Sequence, residues 1–110
     1  RIFNRWWNRL EPDALVFDLV PYRAPTVLGR YTDSSTTWYA LKPEWKALFL
    51  NPLPTAARAY GFDYAYMDNF NFAKLDPAVQ QAWELPCVRL LDEAAYEGFW
   101  RRLYDIRACQ

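Results

Sequence analysis

Histidine is absent from the 110 residues of this chain, which removes more chemistry than any other gap in it. Without imidazole there is no ordinary general base near neutral pH, no histidine-containing nucleophilic triad, and none of the commonest metal ligand. Two cysteines alone are too few for a structural zinc site. Net charge is lacking as well, because thirteen basic and thirteen acidic side chains cancel. No strong field then gathers phosphate backbones, and general nucleic-acid binding is disfavoured. None of the apolar runs approaches the roughly 18 residues that a membrane span needs. Internal repeats and cofactor motifs are missing, and neither a cofactor nor a metal is expected.

What is present is aromatic. Six Trp, eight Tyr and seven Phe make up about a fifth of the chain, and just over half of all residues are apolar. That content excludes a disordered chain and is ample for one core at this length. The rings either fill that core or supply a binding surface.

The apolar spacing organises the chain into two parts. Residues 1–12 form an amphipathic N-terminal helix or connector, with Ile2, Phe3, Trp6, Trp7 and Leu10 at helical intervals. This segment is either a membrane-surface helix or a helix packed on the domain. The chain opens at Arg1, and RIFNRWWNRL reads as the start of a piece of a longer protein. Residues 13–110 form a single α/β domain.

Within that domain Ala14 to Val20 is a near-continuous apolar strand, the kind found in parallel sheets. Thr26 to Arg30 reads as a short second strand. Pro43 opens a helix through Trp45, Leu48 and Phe49. TAARAYG forms another, closed by Gly61 just past its cap. Phe62 to Asp68 alternates aromatic residues as a strand does. Asp76-Pro77 starts a helix that runs to Pro86, and two strands follow around Gly98. The expected fold is a mixed α/β sheet with covering helices and a C-terminal antiparallel edge hairpin.

The cysteines fall at the open ends of that hairpin. Val88 and Leu90 line one face of its first strand; Tyr104, Ile106 and Ala108 line one face of the second. A hairpin pivoting on Gly98 aligns these faces and sets Cys87 opposite Cys109, Val88 opposite Ala108 and Leu90 opposite Ile106. Cross-strand Cβ atoms lie about 4.5–5.5 Å apart, near disulfide reach. The pair is then either a disulfide, implying an oxidising compartment, or two neighbouring free thiols.

Candidate ligand-binding residues lie where open α/β sheets bind ligands, beyond the carboxyl ends of strands. Asp18 ends the first strand, and Asp68 with Asn69 ends the third. Paired carboxylates there serve acid/base chemistry or a cation, or else merely cap loops and helices. The loop Gly29 to Thr36 offers Arg30, Asp33 and several hydroxyls to a phosphate or sugar, without the glycines of a phosphate-binding loop. It reads equally as a plain polar loop. Arg101 and Arg102 beside Trp100 suit a cation–π or phosphate patch, or the solvent face of an edge strand.

The pattern VFD, YRAPTVLGR, PEW, YGFDYAYMD, PCVRLLDE and RRLYDIRAC resembles the C-terminal soluble regions of bacterial multi-spanning membrane proteins. Those proteins are similar to integral-membrane glycosyltransferases that use lipid-linked sugars. The resemblance runs from about Asp13 to Cys109 and contains no catalytic signature. It implies a place at the cell membrane, on the extracytoplasmic side. It implies as partners the membrane-embedded remainder of the polypeptide and a carbohydrate or lipid-linked sugar. Catalytic acids of such enzymes lie in the membrane portion, so no catalytic role passes to any residue here. The expected function is therefore a non-catalytic accessory domain. The alternatives are a small free-standing enzyme using Asp18 and Asp68 on a phosphorylated or glycosidic substrate, and an intracellular partner-binding module with reduced cysteines.

Overall fold

The centre of the fold is a strand with no exposed residue. In the computed structural model, which describes residues 6, 9–11, 13–19, 47, 48 and 50–110, strand β2 (Tyr64–Asp68) is buried at all five positions. On one side it pairs in parallel with β1 (Val16–Asp18). On the other it pairs antiparallel with β4 (Phe99–Asp105), whose outer neighbour is β3 (Arg89–Tyr96). The result is a four-stranded mixed sheet in the order β1-β2-β4-β3. Covering helices are α1 (Pro54–Ala59), α2 (Asn69–Ala73) and α3 (Pro77–Ala82). The α/β mixed sheet with its C-terminal antiparallel hairpin is thus the fold that the residue pattern predicts. The expected strand at Thr26 to Arg30 and the start of the expected helix at Pro43 lie outside the described residues.

Strand alternation divides the core between the two faces of the sheet. Val16, Tyr64, Tyr66 and Leu103 project to one face, where Leu10 and Ala14 join them and Trp6 and Leu91 pack alongside. Leu10 is only 5% exposed and belongs to the core. Phe17, Ala65, Met67 and Tyr104 project to the other face, beneath Ala57, Trp83 and Ile106. Phe17 and Phe62 meet edge to face at 5.3 Å, a pairing worth about 1 kcal/mol beyond area burial.

The helices start and stop for local reasons. Pro54 occupies the first turn of α1, where its missing N–H costs nothing. The helix ends as Gly61, with φ of +96°, lets its N–H reach the Arg58 carbonyl, while Phe62 N–H reaches that of Ala57. These two bonds form a Schellman motif. Asp76 precedes α3 as expected, yet its side chain makes no capping bond, and Pro77 opens the helix alone. The five-residue α2 follows β2 directly and is started by Asp68, whose side chain accepts the Asn71 N–H at 2.8 Å.

The hairpin register differs from the one expected. Its turn residues are Glu97 and Gly98, both at positive φ (49° and 80°), which is the geometry of a two-residue I′ turn. Tyr96 therefore faces Phe99, and the pivot falls between Glu97 and Gly98 instead of on Gly98. A register irregularity between Leu90 and Asp92 then changes the pairing parity, so that Leu90 faces Tyr104 and Arg89 faces Asp105. Neither Leu90 opposite Ile106 nor Val88 opposite Ala108 is formed as a ladder pair. β4 also lies inside the sheet, between β2 and β3, and is not the edge strand that its arginines suggested.

Cys87 and Cys109 are nonetheless joined in a disulfide. The ladder does not make this contact, because β4 ends at Asp105. The Asp105 carboxylate accepts the backbone N–H of Arg107 at 2.9 Å, an Asx-type turn. The Cys109 N–H then donates to the Ile106 carbonyl at 2.9 Å. The chain thus curls back, Cα atoms of the two cysteines lie 4.9 Å apart, and Cys109 is fully buried.

Candidate functional site

Of the strand-end acids, Asp68 has structural work. Asp18 pairs with Tyr66 on the neighbouring parallel strand, two residues short of Asp68. Asp68 is 6% exposed, and its Oδ1 accepts both the backbone N–H of Asn71 at 2.8 Å and its side-chain amide at 2.9 Å. Asn69 is equally committed, since its amide donates to the Gly98 carbonyl at 3.0 Å and its Oδ1 accepts the Trp100 N–H at 2.9 Å. These bonds tie the start of α2 to the tip of the hairpin. Arg30 and Asp33 lie outside the described residues.

Beside them the same end of the sheet is aromatic and open. Phe70 on α2 stacks on Phe99 at 5.4 Å, and the Arg101 guanidinium lies 5.2 Å over the Phe99 ring. Phe70 is 62% exposed and Tyr96, paired with Phe99 across the turn, is 74% exposed. The guanidinium stacking here and at Trp100 places both arginines of the Arg101-Arg102 pair over aromatic rings.

A cleft of about 320 Å³ opens on the helix-covered face of the sheet, between α3 and β4. Its walls include Phe72, Trp83 and Tyr104, and its polar lining includes Gln81, Glu84 and Arg102. The rings are fixed. Trp83 packs against Tyr104 at 5.3 Å, and its indole N–H donates to the Pro52 carbonyl at 2.9 Å. Arg102 is fixed too: its guanidinium lies 3.9 Å over Trp100, its Nε is paired to Glu93, and its Nη1 donates to the Tyr104 hydroxyl at 3.3 Å. Burial acts to lower the Arg102 pKa, but these bonds outweigh it and hold the guanidinium more firmly charged. The sequence pattern alone does not assemble this cleft. The signal was available in Trp100, Arg102 and Tyr104, which alternate along one strand and so share a face.

A second polar cluster closes the opposite end of the sheet. Arg107 donates to both oxygens of Asp105, at 3.0 and 2.8 Å, and to Glu11 at 2.7 Å. The Tyr64 hydroxyl donates to the other Glu11 oxygen at 2.7 Å. Burial would raise the Asp105 pKa, but the bonds and charge of Arg107 overcome it and hold the carboxyl below its usual range. Glu11 is lowered too, chiefly by the Tyr64 hydroxyl. Burial and the Glu11 hydrogen bond push the Tyr64 phenol strongly upward. The cluster joins the N-terminal segment to the last turn of the chain and has every charge answered, as a structural clamp does.

Among the described residues no group of three or more His, Cys, Asp or Glu side chains is placed to hold a metal ion. Among the same residues no helix is long and apolar enough to cross a membrane. Comparison of the chain with family models, with curated proteins and with solved structures returns no match.

Proposed function

We propose that this chain is a non-catalytic accessory domain of a bacterial integral-membrane protein of the glycosyltransferase type. It is held on the extracytoplasmic side, where it helps to recognise a sugar, a lipid-linked sugar or the acceptor. The observation that carries the recognition role is the open aromatic end of the sheet, where Phe70, Tyr96 and Phe99 gather beside Arg101. Exposed rings clustered in this way are uncommon on a domain that has a core to fill, and they mark contact surfaces. The Cys87–Cys109 disulfide supports the oxidising setting and weighs against an intracellular module. The enzyme reading loses support because Asp68 spends its carboxylate on starting α2.

Two measurements test the proposal. Amide NMR shifts of the labelled domain, titrated with glycans and a detergent-solubilised lipid-linked sugar, should be saturable and should leave the ligands chemically unchanged. Labelling of intact cells with a membrane-impermeant protease or tag reagent should reach the domain from outside. Turnover of a phosphorylated or glycosidic substrate, or protection inside intact cells, would refute it.

A further inference from the structure

We infer that the cleft between α3 and β4 is a seat for a single neutral pyranose unit. This inference rests on the recognition reading above and adds to it a second site, apart from the aromatic end of the sheet, with a ligand class of its own. At about 320 Å³ the cleft is at the lower end of the range of small-ligand sites, which suits one ring better than a chain of them. Half-buried Phe72 offers apolar ring surface to the C–H face of a sugar, above a floor formed by the buried Trp83 and Tyr104.

The polar lining matches hydroxyl groups in kind and in charge. Arg102 has its Nε and Nη1 bonded, whereas Nη2 makes no hydrogen bond among the described residues. Gln81 and Glu84 are exposed and make no side-chain hydrogen bond among those residues. A guanidinium that donates, a carboxylate that accepts and an amide that does both are the complement of vicinal hydroxyls. One positive and one negative group leave the lining near neutral, which disfavours a phosphate or sulfate: that ligand would meet Glu84 as well as Arg102. The guanidinium is fixed on three sides before any ligand arrives, so little ordering cost falls on binding.

Titration of the whole labelled chain with neutral hexoses, N-acetylhexosamines, a hexuronate and inorganic phosphate tests the inference. Saturable shifts from a neutral sugar should centre on Gln81, Glu84, Arg102 and the Trp83 indole N–H. The exposed double variant Gln81→Ala/Glu84→Ala should weaken binding at least tenfold while leaving the thermal midpoint unchanged. Phosphate or hexuronate binding in place of the neutral sugars would overturn the assignment. Shifts confined to Phe70, Tyr96 and Phe99 would overturn the cleft yet leave the recognition reading standing. Silence of the domain toward every glycan, lipid-linked sugar included, would remove both.

Discussion

Single residues in this domain act as clamps between distant parts of the chain. Glu11, Asp105 and Arg107 are the clearest, because together they tie the first described segment to the last turn. Both carboxyl groups have lowered pKa values when folded, so their contribution is complete above the ordinary carboxylate range near pH 4. It falls as acid protonates first the unfolded and then the folded carboxyl groups. The raised values of Tyr64 and Arg107 act only in strong alkali, since a group with a raised folded pKa keeps its contribution at every lower pH. Urea midpoints measured from pH 7 to pH 3 should therefore fall below about pH 4. Arg107→Met should flatten that fall, and an equally steep fall in this variant would show that other carboxylates govern acid stability.

Asp68 is the second test at this scale. Replacing it by Ala removes the acceptor that starts α2 and should cost about 1 kcal/mol. That loss lowers the melting midpoint by roughly 4–8 °C in a domain of this size. Asp68→Asn, which keeps an acceptor at the cap, should cost less. Equal losses for both variants would mean that the negative charge, and not the cap, is what the position needs.

At the level of elements the hairpin turn holds the sharpest local conflict. Glu97 adopts a φ of 49°, a left-handed conformation that a side chain of its type disfavours by about 1–2 kcal/mol. Glu97→Asn gives the Asn-Gly pair that such turns prefer, and should raise stability by a few tenths to about 1 kcal/mol in chemical denaturation. A destabilised variant would point to a role for the Glu97 carboxylate that the turn geometry does not require.

The same hairpin shows how much of the structure could be read from the sequence. The central strand, the Gly61 stop and the Pro77 start were legible, because each is fixed by its own residues. The mixed sheet followed from their order. The register was not, because Val88 and Leu90 align with Tyr104 and Ile106 in several even registers. The irregularity beside Leu91 that changes parity has no side-chain signature of its own. The ladder centred on Gly98 predicts the cysteine pairing for the wrong reason, since the pair forms because the Asp105 turn brings Cys109 back. Asp-x-Arg after an apolar strand is a recognisable turn signal that could have corrected it. Position at a strand end points to Asp68 and Asn69 as ligand groups. A sequence cannot show that their polar atoms are already spent on α2 and the hairpin tip. The cleft was the least legible, since it depends on how far α3 stands from β4.

For the molecule as a whole, the disulfide is the main covalent restraint on an otherwise aromatic core. It spans 22 residues, and the chain-entropy relation gives about 3 kcal/mol for a loop of that length. Reduction under native conditions should lower the unfolding free energy by about that amount while leaving the far-ultraviolet spectrum unchanged. Alkylation of the oxidised, denatured chain should add nothing, and after reduction it should add two groups. Two alkylations without reductant would remove the argument for an oxidising compartment.

The placement of that bond also decides how the domain answers a mechanical load. A pull on Gln110 reaches Cys109 first and passes through sulfur to Cys87, bypassing the strands between them. The chain from Val88 to Ala108 lies off the load path and cannot be drawn out while the bond holds. Its 22-residue span would otherwise add roughly 70–80 Å of contour at the extended-chain rise. Stretched by its ends in a force experiment, the oxidised domain should lengthen by that much less than the reduced one. With Asn69 fastened to the tip and the cystine across the base, the hairpin is under tension a sealed loop that the force passes by.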